Sequence, residues 1–411
     1  MEAVTAREVL DARQRIGSQV QRTPIETSRT LSRAAGAEIF LKCENLQRTG
    51  SFKVRGALNR ILRLSAEERA RGVVAASAGN HAQGVAYAGG IAGIAVTVVM
   101  PETAAITKIE ATKGYGAKVL LRGRDYAGAF QEAERIAAEQ GTILVHAYDD
   151  PDVIAGQGTV GFEILEEVPA LDAIVVPVGG GGLVAGITIA ARSRIPEIRI
   201  IGVQPTLAST LLPSLAANRR LEISPALTIA DGLATSGLGM ISWGILHGAL
   251  SRAVTVSEGE IAAAILLLAE RAKMIVEGAA ATALAACLGP LREELSGKRV
   301  ALVLSGGNID VNLLDRIINL GLAEHGRVLR FATILPDRPG ALSALASVLA
   351  SVGANIKTIR HDRGLVGLGI LETAVTIEVE TRGPDHVVEV TGKLRDAGYR
   401  LSSTSPAIDF P

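Results

Sequence analysis

The chain has 411 residues, of which 48% are hydrophobic and 20% charged, and its 42 basic side chains balance 42 acidic ones. This composition excludes a disordered chain, and a net charge of +0 with 3% aromatic residues gives no general basis for binding nucleic acid or an anionic membrane. Two cysteines, Cys43 and Cys287, are too few for a disulfide framework and are expected to be buried thiols.

The N-terminus and the longest uncharged stretches give no sign of targeting or membrane insertion. Residues 1–8 carry charges where a signal peptide would need an apolar core. The uncharged stretches at 72–101, 173–191 and 232–251 are broken by glycine clusters, unlike a membrane-spanning helix. We therefore expect a soluble, cytoplasmic protein with neither a nucleic-acid nor a membrane partner.

Strands and helices alternate along the first three-quarters of the chain. Thr5 and Glu8 have the spacing of a capping box, which predicts an opening helix. From about residue 38, short apolar runs alternate with helical patterns. The predicted strands are 73–76, 96–100, 143–145, 174–178 and 299–304, and the predicted helices include 122–140 and 258–275, the latter with a capping box at Ser257 and Glu260. Apolar strands separated by helices predict an α/β fold with a parallel sheet buried on both faces.

The pattern changes after residue 325, near the end of Gly321-Leu322-Ala323-Glu324-His325-Gly326. The remaining elements are predicted as strand 327–335, helix 340–352, strands 355–360 and 371–380, helix 385–397 and strand 399–403. This βαββαβ order is typical of a ferredoxin-like module. We therefore predict two domains, residues 1–325 and residues 326–411.

Two of four small motifs contain candidate reactive or polar side chains. Lys53 lies in the segment 50–57, beside an aromatic and small residues, where its pKa can be lowered so that it serves as a Schiff-base nucleophile. The segment 77–84 follows a predicted strand and begins a helix, whose main-chain amides suit a carboxylate. Asn80 adds a neutral donor there, and His81 is either a ligand or a core or helix-capping histidine.

The other two motifs also follow predicted strands, where open α/β sheets bind ligands. The run 179–183 contains four glycines but lacks the lysine of a Walker loop and does not fit GxGxxG, so it is either a one-phosphate cradle or a tight turn. Ser305 opens the fourth motif, 305–308, and can exchange one hydrogen bond with a ligand. Glu277 follows the helix predicted at 258–275 and either reaches the cleft or makes a structural ion pair or a helix-end contact.

A reactive lysine, a phosphate cradle and two polar partners for a ring are the parts of a pyridoxal phosphate site. With all four motifs in the same order, residues 5–322 resemble the threonine ammonia-lyases among the tryptophan-synthase-β-like, fold-type II pyridoxal phosphate enzymes. The C-terminal part resembles an ACT regulatory domain, on the segment 335–342, LPDRPGAL. The resemblance implies a two-lobed parallel-sheet catalytic domain followed by a small ACT domain.

The resemblance also implies a role for each motif residue. Lys53 would bind pyridoxal 5'-phosphate as a Schiff base and remove the substrate's α-proton. Cofactor contacts would come from Phe52 beside the ring, Asn80 at the ring oxygen, Ser305 at the ring nitrogen, and Gly179, Gly180, Gly181, Gly182 and Leu183 at the phosphate. The substrate carboxylate would bind Ser77, Gly79, Asn80 and His81, with Ser77 counted as catalytic beside Lys53.

Three positions narrow this interpretation. Related serine racemases have a second serine where this chain has Ala78, which argues against racemisation. Gln204 and Thr210 stand where those racemases carry acidic metal ligands, and a hard divalent cation prefers charged oxygens, so no metal is predicted. A neutral Ser305 does not keep the ring nitrogen protonated, which favours elimination over transamination.

The predicted function is therefore deamination of L-threonine to 2-oxobutanoate and ammonia, a carbon–nitrogen lyase activity of amino-acid metabolism and isoleucine biosynthesis. L-Serine and 3-hydroxyaspartate remain alternative substrates, because one methyl group is worth only about 1–3 kcal/mol. A catalytically silent amino-acid-binding regulator is a third hypothesis. An effector such as isoleucine or valine is expected at the ACT domain, in a homodimer or homotetramer.

Overall fold

A computed structural model describes residues 4–224, 227–363 and 368–403. The chain divides into two compact units, Met1–Leu313 and Leu314–Pro411. This division falls within a helix, Val311–Glu324, that ends just before the domain boundary predicted at residue 325; that boundary stays a prediction. No helix formed by the described residues is long and apolar enough to cross a membrane.

The first unit alternates strands and helices, as predicted. Its strands are β1 Ile25–Thr27, β2 Glu38–Lys42, β3 Val73–Ala76, β4 Val96–Met100, β5 Lys118–Leu121, β6 Ile143–Leu144, β7 Ala173–Pro177, β8 Arg199–Pro205, β9 Arg252–Val256 and β10 Arg299–Val303. Its helices are α1 Ala6–Ile16, α2 Arg29–Ala35, α3 Lys53–Leu62, α4 Ala66–Arg71, α5 Asn80–Ala92, α6 Ile106–Gly114, α7 Tyr126–Gln140, α8 Pro151–Glu167, α9 Gly182–Arg194, α10 Leu211–Ala216, α11 Met240–Leu246, α12 Glu258–Leu267, α13 Gly278–Leu288 and the start of α14 Val311–Glu324.

Two sheets organise this unit. The larger has the strand order β1-β2-β10-β7-β8-β9 and is parallel except for the antiparallel edge pair β1–β2. The smaller is parallel, with the order β5-β4-β3-β6. Every residue of β3 and β7 is buried, because helices cover both faces of each sheet. The predicted two-lobed parallel-sheet fold is confirmed.

Local signals set several helix boundaries. The predicted capping boxes at Thr5 and Ser257 are both formed. The helix predicted at 122–140 was placed too early: it begins at Tyr126, because the Asp125 side chain caps it by accepting from Gly128 N at 2.9 Å. The helix predicted at 258–275 was too long: α12 ends at Leu267 and continues as a π-helical turn to Ala272, followed by Lys273 with φ 60°.

Glycine allows α8 to contact two helices at main-chain distance. A Cβ added to Gly156 of α8 would lie 2.6 Å from the main-chain oxygen of Arg55 in α3. On the other side of α8, a Cβ on Gly186 of α9 would lie 2.6 Å from the nitrogen of Gly158. Both distances are far below ordinary carbon contacts, so α3, α8 and α9 form a closely packed triplet that depends on glycine.

A fully buried ion network fastens the start of α3 to α8 and β2. Arg55 donates to Glu44 Oε1 at 2.7 Å and to Glu163 Oε1 at 2.6 Å. Lys42 Nζ lies 2.7 Å from Glu163 Oε2 and donates to the Thr23 carbonyl at 2.6 Å. Two cations and two carboxylates therefore compensate one another away from solvent, which offsets the high cost of burying each charge alone.

The second unit has the predicted βαββαβ order. Its elements are β11 Val328–Pro336, α15 Ala341–Ser351, β12 Asn355–Asp362, β13 Glu372–Glu380, α16 Pro384–Asp396 and β14 Ser402–Ser403. The sheet is antiparallel and has the strand order β12-β13-β11-β14, so the first and third strands of this unit, β11 and β13, lie at its centre. This arrangement agrees with a ferredoxin-like fold. Leu345, Leu349 and Val390 of the two helices pack into its core.

Candidate active site

A cavity of about 450 Å³ lies in the first unit where the four motifs converge. Parallel strands bring their carboxyl ends to one edge of a sheet, and ligands bind outside that edge. All the site residues predicted from the sequence line this cavity: Phe52, Lys53, Ser77, Gly79, Asn80, His81, Gly179, Gly180, Gly181, Gly182, Leu183 and Ser305. Ala78, which argues against racemisation, lines it as well.

Lys53 is the first residue of α3 and extends its ammonium group into the cavity. Its Nζ donates to the carbonyl of Ala147 at 2.8 Å and lies 5.3 Å from the centre of the Phe52 ring. Burial lowers the pKa of Lys53 to about 8, against the opposing effect of the Glu277 carboxyl. About one-tenth of this lysine is therefore neutral, and nucleophilic, at pH 7, far more than for a lysine with the ordinary pKa.

The four glycines turn the chain from β7 into α9 with their amides exposed to the cavity. None of the main-chain N–H groups from Gly179 to Leu183 donates a hydrogen bond to another described residue. A Cβ on Gly180 would lie 2.3 Å from the Tyr148 ring, and Gly181 has φ +92°. Side chains are thus excluded here, and several free amides remain at a helix N-terminus, which is an arrangement that binds a phosphate.

The Ser77–His81 loop begins α5 on another side of the cavity. Ser77 Oγ accepts from Gly79 N at 3.1 Å, and a Cβ on Gly79 would meet no atom within 4 Å. His81 Nε2 lies 2.9 Å from the Val145 carbonyl, and burial, with the nearby Lys53, lowers the pKa of His81 to about 3. The imidazole is therefore neutral, and its one N–H, on Nε2, donates to the Val145 carbonyl, so His81 can offer a carboxylate only its main-chain N–H.

Glu277, whose role the sequence left open, forms a hydrogen-bonded pair with Asn80. Asn80 Nδ2 donates to both carboxylate oxygens of Glu277, at 2.8 and 2.9 Å, and Asn80 Oδ1 accepts from Asn308 Nδ2 at 2.8 Å. Burial raises the pKa of Glu277 to about 7, although the hydrogen bond from Asn80 opposes the shift. Glu277 is therefore part of the cavity wall and makes no ion pair shorter than 4 Å with a described residue.

Ser305 is 2% exposed, lines the cavity and contacts the residues that lead into α3. Its carbonyl accepts from Phe52 N at 3.1 Å, and an antiparallel bridge joins Ser51 to Gly306. The segment 305–308 is therefore bonded to the two residues that precede α3, which begins at Lys53.

Among the cavity residues that the sequence did not predict, Tyr148, Lys108 and Asp231 make notable contacts. Tyr148 lies four residues after the end of β6 and packs on Gly180, so its position shortly after a strand was a usable signal. Lys108 of α6 pairs with Asp231 at 2.8 Å, and both line the cavity. Neither of these two follows a strand, and they are 123 residues apart in the chain, so no local pattern predicted their contact.

These residues fit pyridoxal 5'-phosphate. The free amides of the Gly179–Leu183 turn match a phosphate, and the turn has no room for side chains. A lysine with a lowered pKa and the neutral polar side chains Asn80 and Ser305 match an aldehyde on a heteroaromatic ring. No group of three or more metal-ligating side chains occurs among the described residues.

The sequence profile of the family described as pyridoxal-phosphate dependent enzyme matches residues 16–306, and the chain belongs to this family. It is 45% identical to the L-threonine ammonia-lyase of Thermotoga maritima, over 97% of this chain and 99% of the relative. It is 44% identical to the L-threo-3-hydroxyaspartate ammonia-lyase of Saccharomyces cerevisiae, over 76% of this chain and 95% of the relative. A solved serine racemase from Dictyostelium discoideum superposes with a TM-score of 0.71 at 38% identity, covering 75% of this chain and 99% of that one.

Proposed function

We propose that this enzyme deaminates L-threonine to 2-oxobutanoate and ammonia. The main support for this proposal is that one cavity contains Lys53, a glycine turn suited to a phosphate and a helix N-terminus suited to a carboxylate. The 45% identity to an L-threonine ammonia-lyase over nearly the whole of both chains supports a lyase of this kind. Water leaves when the β-hydroxyl is eliminated and is taken up again when the imine product hydrolyses, so the reaction balances without another reactant.

Residues of this chain would hold the cofactor at both ends. Lys53 would bind it covalently, the Gly179–Leu183 turn would bind its phosphate, and Asn80 and Ser305 would contact its ring. When bound, pyridoxal phosphate withdraws electrons from the α-carbon of an amino acid and so acidifies the α-proton. The amine of Lys53, whose pKa burial lowers to about 8, would be the base that takes that proton.

Ser305 and Ala78 direct the outcome towards elimination. The Ser305 hydroxyl is neutral and cannot hold a permanent positive charge on a ring nitrogen as a buried carboxylate would. Ala78 lines the cavity with a methyl group, so it offers no proton from its side of the substrate. Loss of the β-hydroxyl is then favoured over transamination and over inversion at the α-carbon.

The charges of the cavity favour threonine over 3-hydroxyaspartate. Among the described lining residues, the cationic side chains are Lys53, reserved for the cofactor, and Lys108, already paired with Asp231. Glu277 and Asp310 add acidic groups to the wall. A second carboxylate on the substrate would therefore enter without an unpaired cation to receive it.

Steady-state kinetics with threonine, serine and 3-hydroxyaspartate test the proposed substrate. We expect the highest kcat/KM with threonine, measured as release of the 2-oxo acid. A higher kcat/KM with serine would make the enzyme a serine ammonia-lyase. Absence of both turnover and a cofactor absorbance band would support the silent regulator instead.

Replacing Asp231 by asparagine should weaken discrimination against 3-hydroxyaspartate. The substitution frees Lys108 from its ion pair, and we expect the kcat/KM for 3-hydroxyaspartate relative to threonine to rise about fivefold, equivalent to roughly 1 kcal/mol for an exposed pair. The matched control is Asp310→Asn, which removes a negative charge from the same wall without touching Lys108. An equal rise in both variants would show that overall charge, and not the release of Lys108, sets the preference.

We further propose that the second unit is an ACT-like regulatory domain that binds isoleucine or valine. A cavity of about 470 Å³ is lined by the predicted segment 335–342 together with His361, Arg363 and Thr373. Gly340 is the N-cap of α15, where free amides and the helix dipole favour a carboxylate, and Asp337 pairs with Arg363 at 2.9 Å in the same cavity. Inhibition by isoleucine would connect the enzyme to isoleucine biosynthesis.

Replacing Gly340 by aspartate should desensitise the enzyme without changing its rate in the absence of an effector. We expect the concentration of isoleucine or valine for half-maximal effect to rise at least about tenfold, since like charges at close range near a protein surface repel by several kcal/mol. Gly340→Ala is the control, because it shares the strain of φ +88° and its Cβ would meet no atom within 4 Å. A full response in the aspartate variant would place the effector elsewhere.

A further inference from the structure

We propose that Glu277 and Asn308 are positioning residues that hold the side-chain amide of Asn80 in one orientation. In that orientation Nδ2 of Asn80 donates to Glu277, and one of its two N–H groups would turn to an acceptor bound in the cavity. The inference rests on the proposed function, in which that acceptor is the ring oxygen of the cofactor. It assigns a role to Glu277, which lies outside the four motifs, and to Asn308, the last residue of the fourth motif.

Each end of the Asn80 amide meets a group that can satisfy only that end. Nδ2 faces both oxygens of the Glu277 carboxylate, at 2.8 and 2.9 Å, and an ionised carboxylate only accepts. Oδ1 faces the Nδ2 of Asn308 at 2.8 Å, and an amide nitrogen only donates. A flip of the Asn80 amide would set oxygen against carboxylate and nitrogen against nitrogen, so it would lose every one of these hydrogen bonds.

The orientation of Asn308 is fixed in turn by the main chain. Its Nδ2 also donates to the carbonyl of Thr49 at 2.8 Å, and a carbonyl cannot donate. A Cβ on Gly50 would lie 2.3 Å from Asn308 Oδ1, so the absence of a side chain at Gly50 leaves room for the Asn308 side chain. The Thr49 carbonyl thus fixes the orientation of the Asn308 amide, and the Asn308 amide fixes that of Asn80.

Glu277 is held where it can act on Asn80. Its main-chain N–H donates to Gly306 at 3.1 Å, it is 6% exposed, and it directly precedes α13. A Cβ on Gly306 would lie 2.4 Å from Glu277 Oε1, so the serine motif leaves space for the carboxylate. Lys53, Lys108 and Asp231 are the charged groups that act on this carboxyl, and burial raises its pKa to about 7.

The structure therefore implies a pH-dependent step in cofactor binding. Above about pH 7 Glu277 is ionised and accepts from Asn80 with both oxygens. Below that pH the carboxyl gains a proton and one oxygen becomes a donor, so its preference for one orientation of Asn80 weakens. Loss of the Glu277 charge should therefore affect cofactor binding more above pH 7 than below it, and only while Asn80 is present.

A double-mutant cycle on apoenzyme titrated with pyridoxal 5'-phosphate tests the proposal. We expect Glu277→Gln to raise the Kd about tenfold at pH 8, as when a hydrogen bond to a charged group is lost, and much less at pH 6. In an Asn80→Ala background the same substitution should have no effect, because its target is absent. Asn308→Ala should raise the Kd in the wild-type background and likewise lose its effect in Asn80→Ala.

The matched control is Glu258→Gln, which removes a carboxylate that accepts hydrogen bonds elsewhere in the same unit. Glu258 accepts from Thr228 Oγ1 and Ile229 N, outside the cavity, and this variant should leave the Kd unchanged. Equal effects of Glu277→Gln with and without Asn80 would overturn the proposal, as would an Asn80→Ala variant that binds the cofactor normally. Neither result bears on whether the wild-type enzyme turns over threonine or binds the cofactor covalently at Lys53. The proposed function is tested by those two measurements alone.

Discussion

Lys53→Ala is expected to lower kcat for threonine by about 10⁴-fold or more, equivalent to at least about 5.4 kcal/mol of transition-state free energy. The substitution removes both the covalent anchor of the cofactor and the base within the cavity. Borohydride reduction should then fix no cofactor to the chain, as measured by mass spectrometry. The matched control is Lys108→Met, the loss of the other cavity lysine, which should keep the reducible link. A reduced adduct on another residue of Lys53→Ala would refute the assignment.

The same lysine predicts how cofactor attachment depends on pH. Only the neutral amine attacks an aldehyde, and burial lowers the pKa of Lys53 to about 8. The rate of covalent attachment to apoenzyme should therefore fall about tenfold per pH unit below pH 8 and level off above it. A plateau reached only near the ordinary lysine pKa would show that the cavity does not lower it.

Glu163→Gln is expected to lower the free energy of unfolding of the first unit by about 3 to 5 kcal/mol. The substitution leaves Lys42 and Arg55 sharing a single carboxylate, Glu44, in a site without solvent. The single tryptophan of the chain, Trp243, lies in α11 of this unit. Its fluorescence in a urea titration therefore reports the stability of that unit.

The control for this effect is a charge cluster of similar size on the surface. Arg135 pairs with Glu132 and Glu139 along α7, and all three positions have solvent-exposed or partly exposed side chains. Arg135→Met should change the same free energy by no more than about 0.5 kcal/mol, because exposed pairs are screened by water. Equal losses in the two variants would mean that the buried network has no special role.

The sequence predicted the fold and the main site because both depend on local patterns. The run 179–183 and Ser305 each follow an apolar strand of the larger sheet, and a parallel sheet brings such strand ends to one edge. Contacts between distant segments leave no local pattern. Asn80 and Glu277 are 197 residues apart, so only the folded chain shows that they share hydrogen bonds.

Helix ends were less predictable for a similar reason. The apolar pattern of 122–140 extends past the true start of α7, where the Asp125 cap decides the boundary. The pattern of 258–275 likewise continues through Lys273, whose φ of 60° ends the helical path. Periodicity identifies the buried face of a helix, whereas capping and main-chain geometry set where the helix stops.

The glycine contacts of α3, α8 and α9 limit how this enzyme can be recombined with its relatives. With Gly156 and Gly158 on α8 within main-chain distance of its two neighbours, even a methyl group at either position would force the helices apart. Since Lys53 begins α3, such a separation would move the reactive amine away from the glycine turn that begins α9. In a chimeric library these three helices should therefore be inherited as one block, and crossovers between them should yield inactive proteins even when both parents are active.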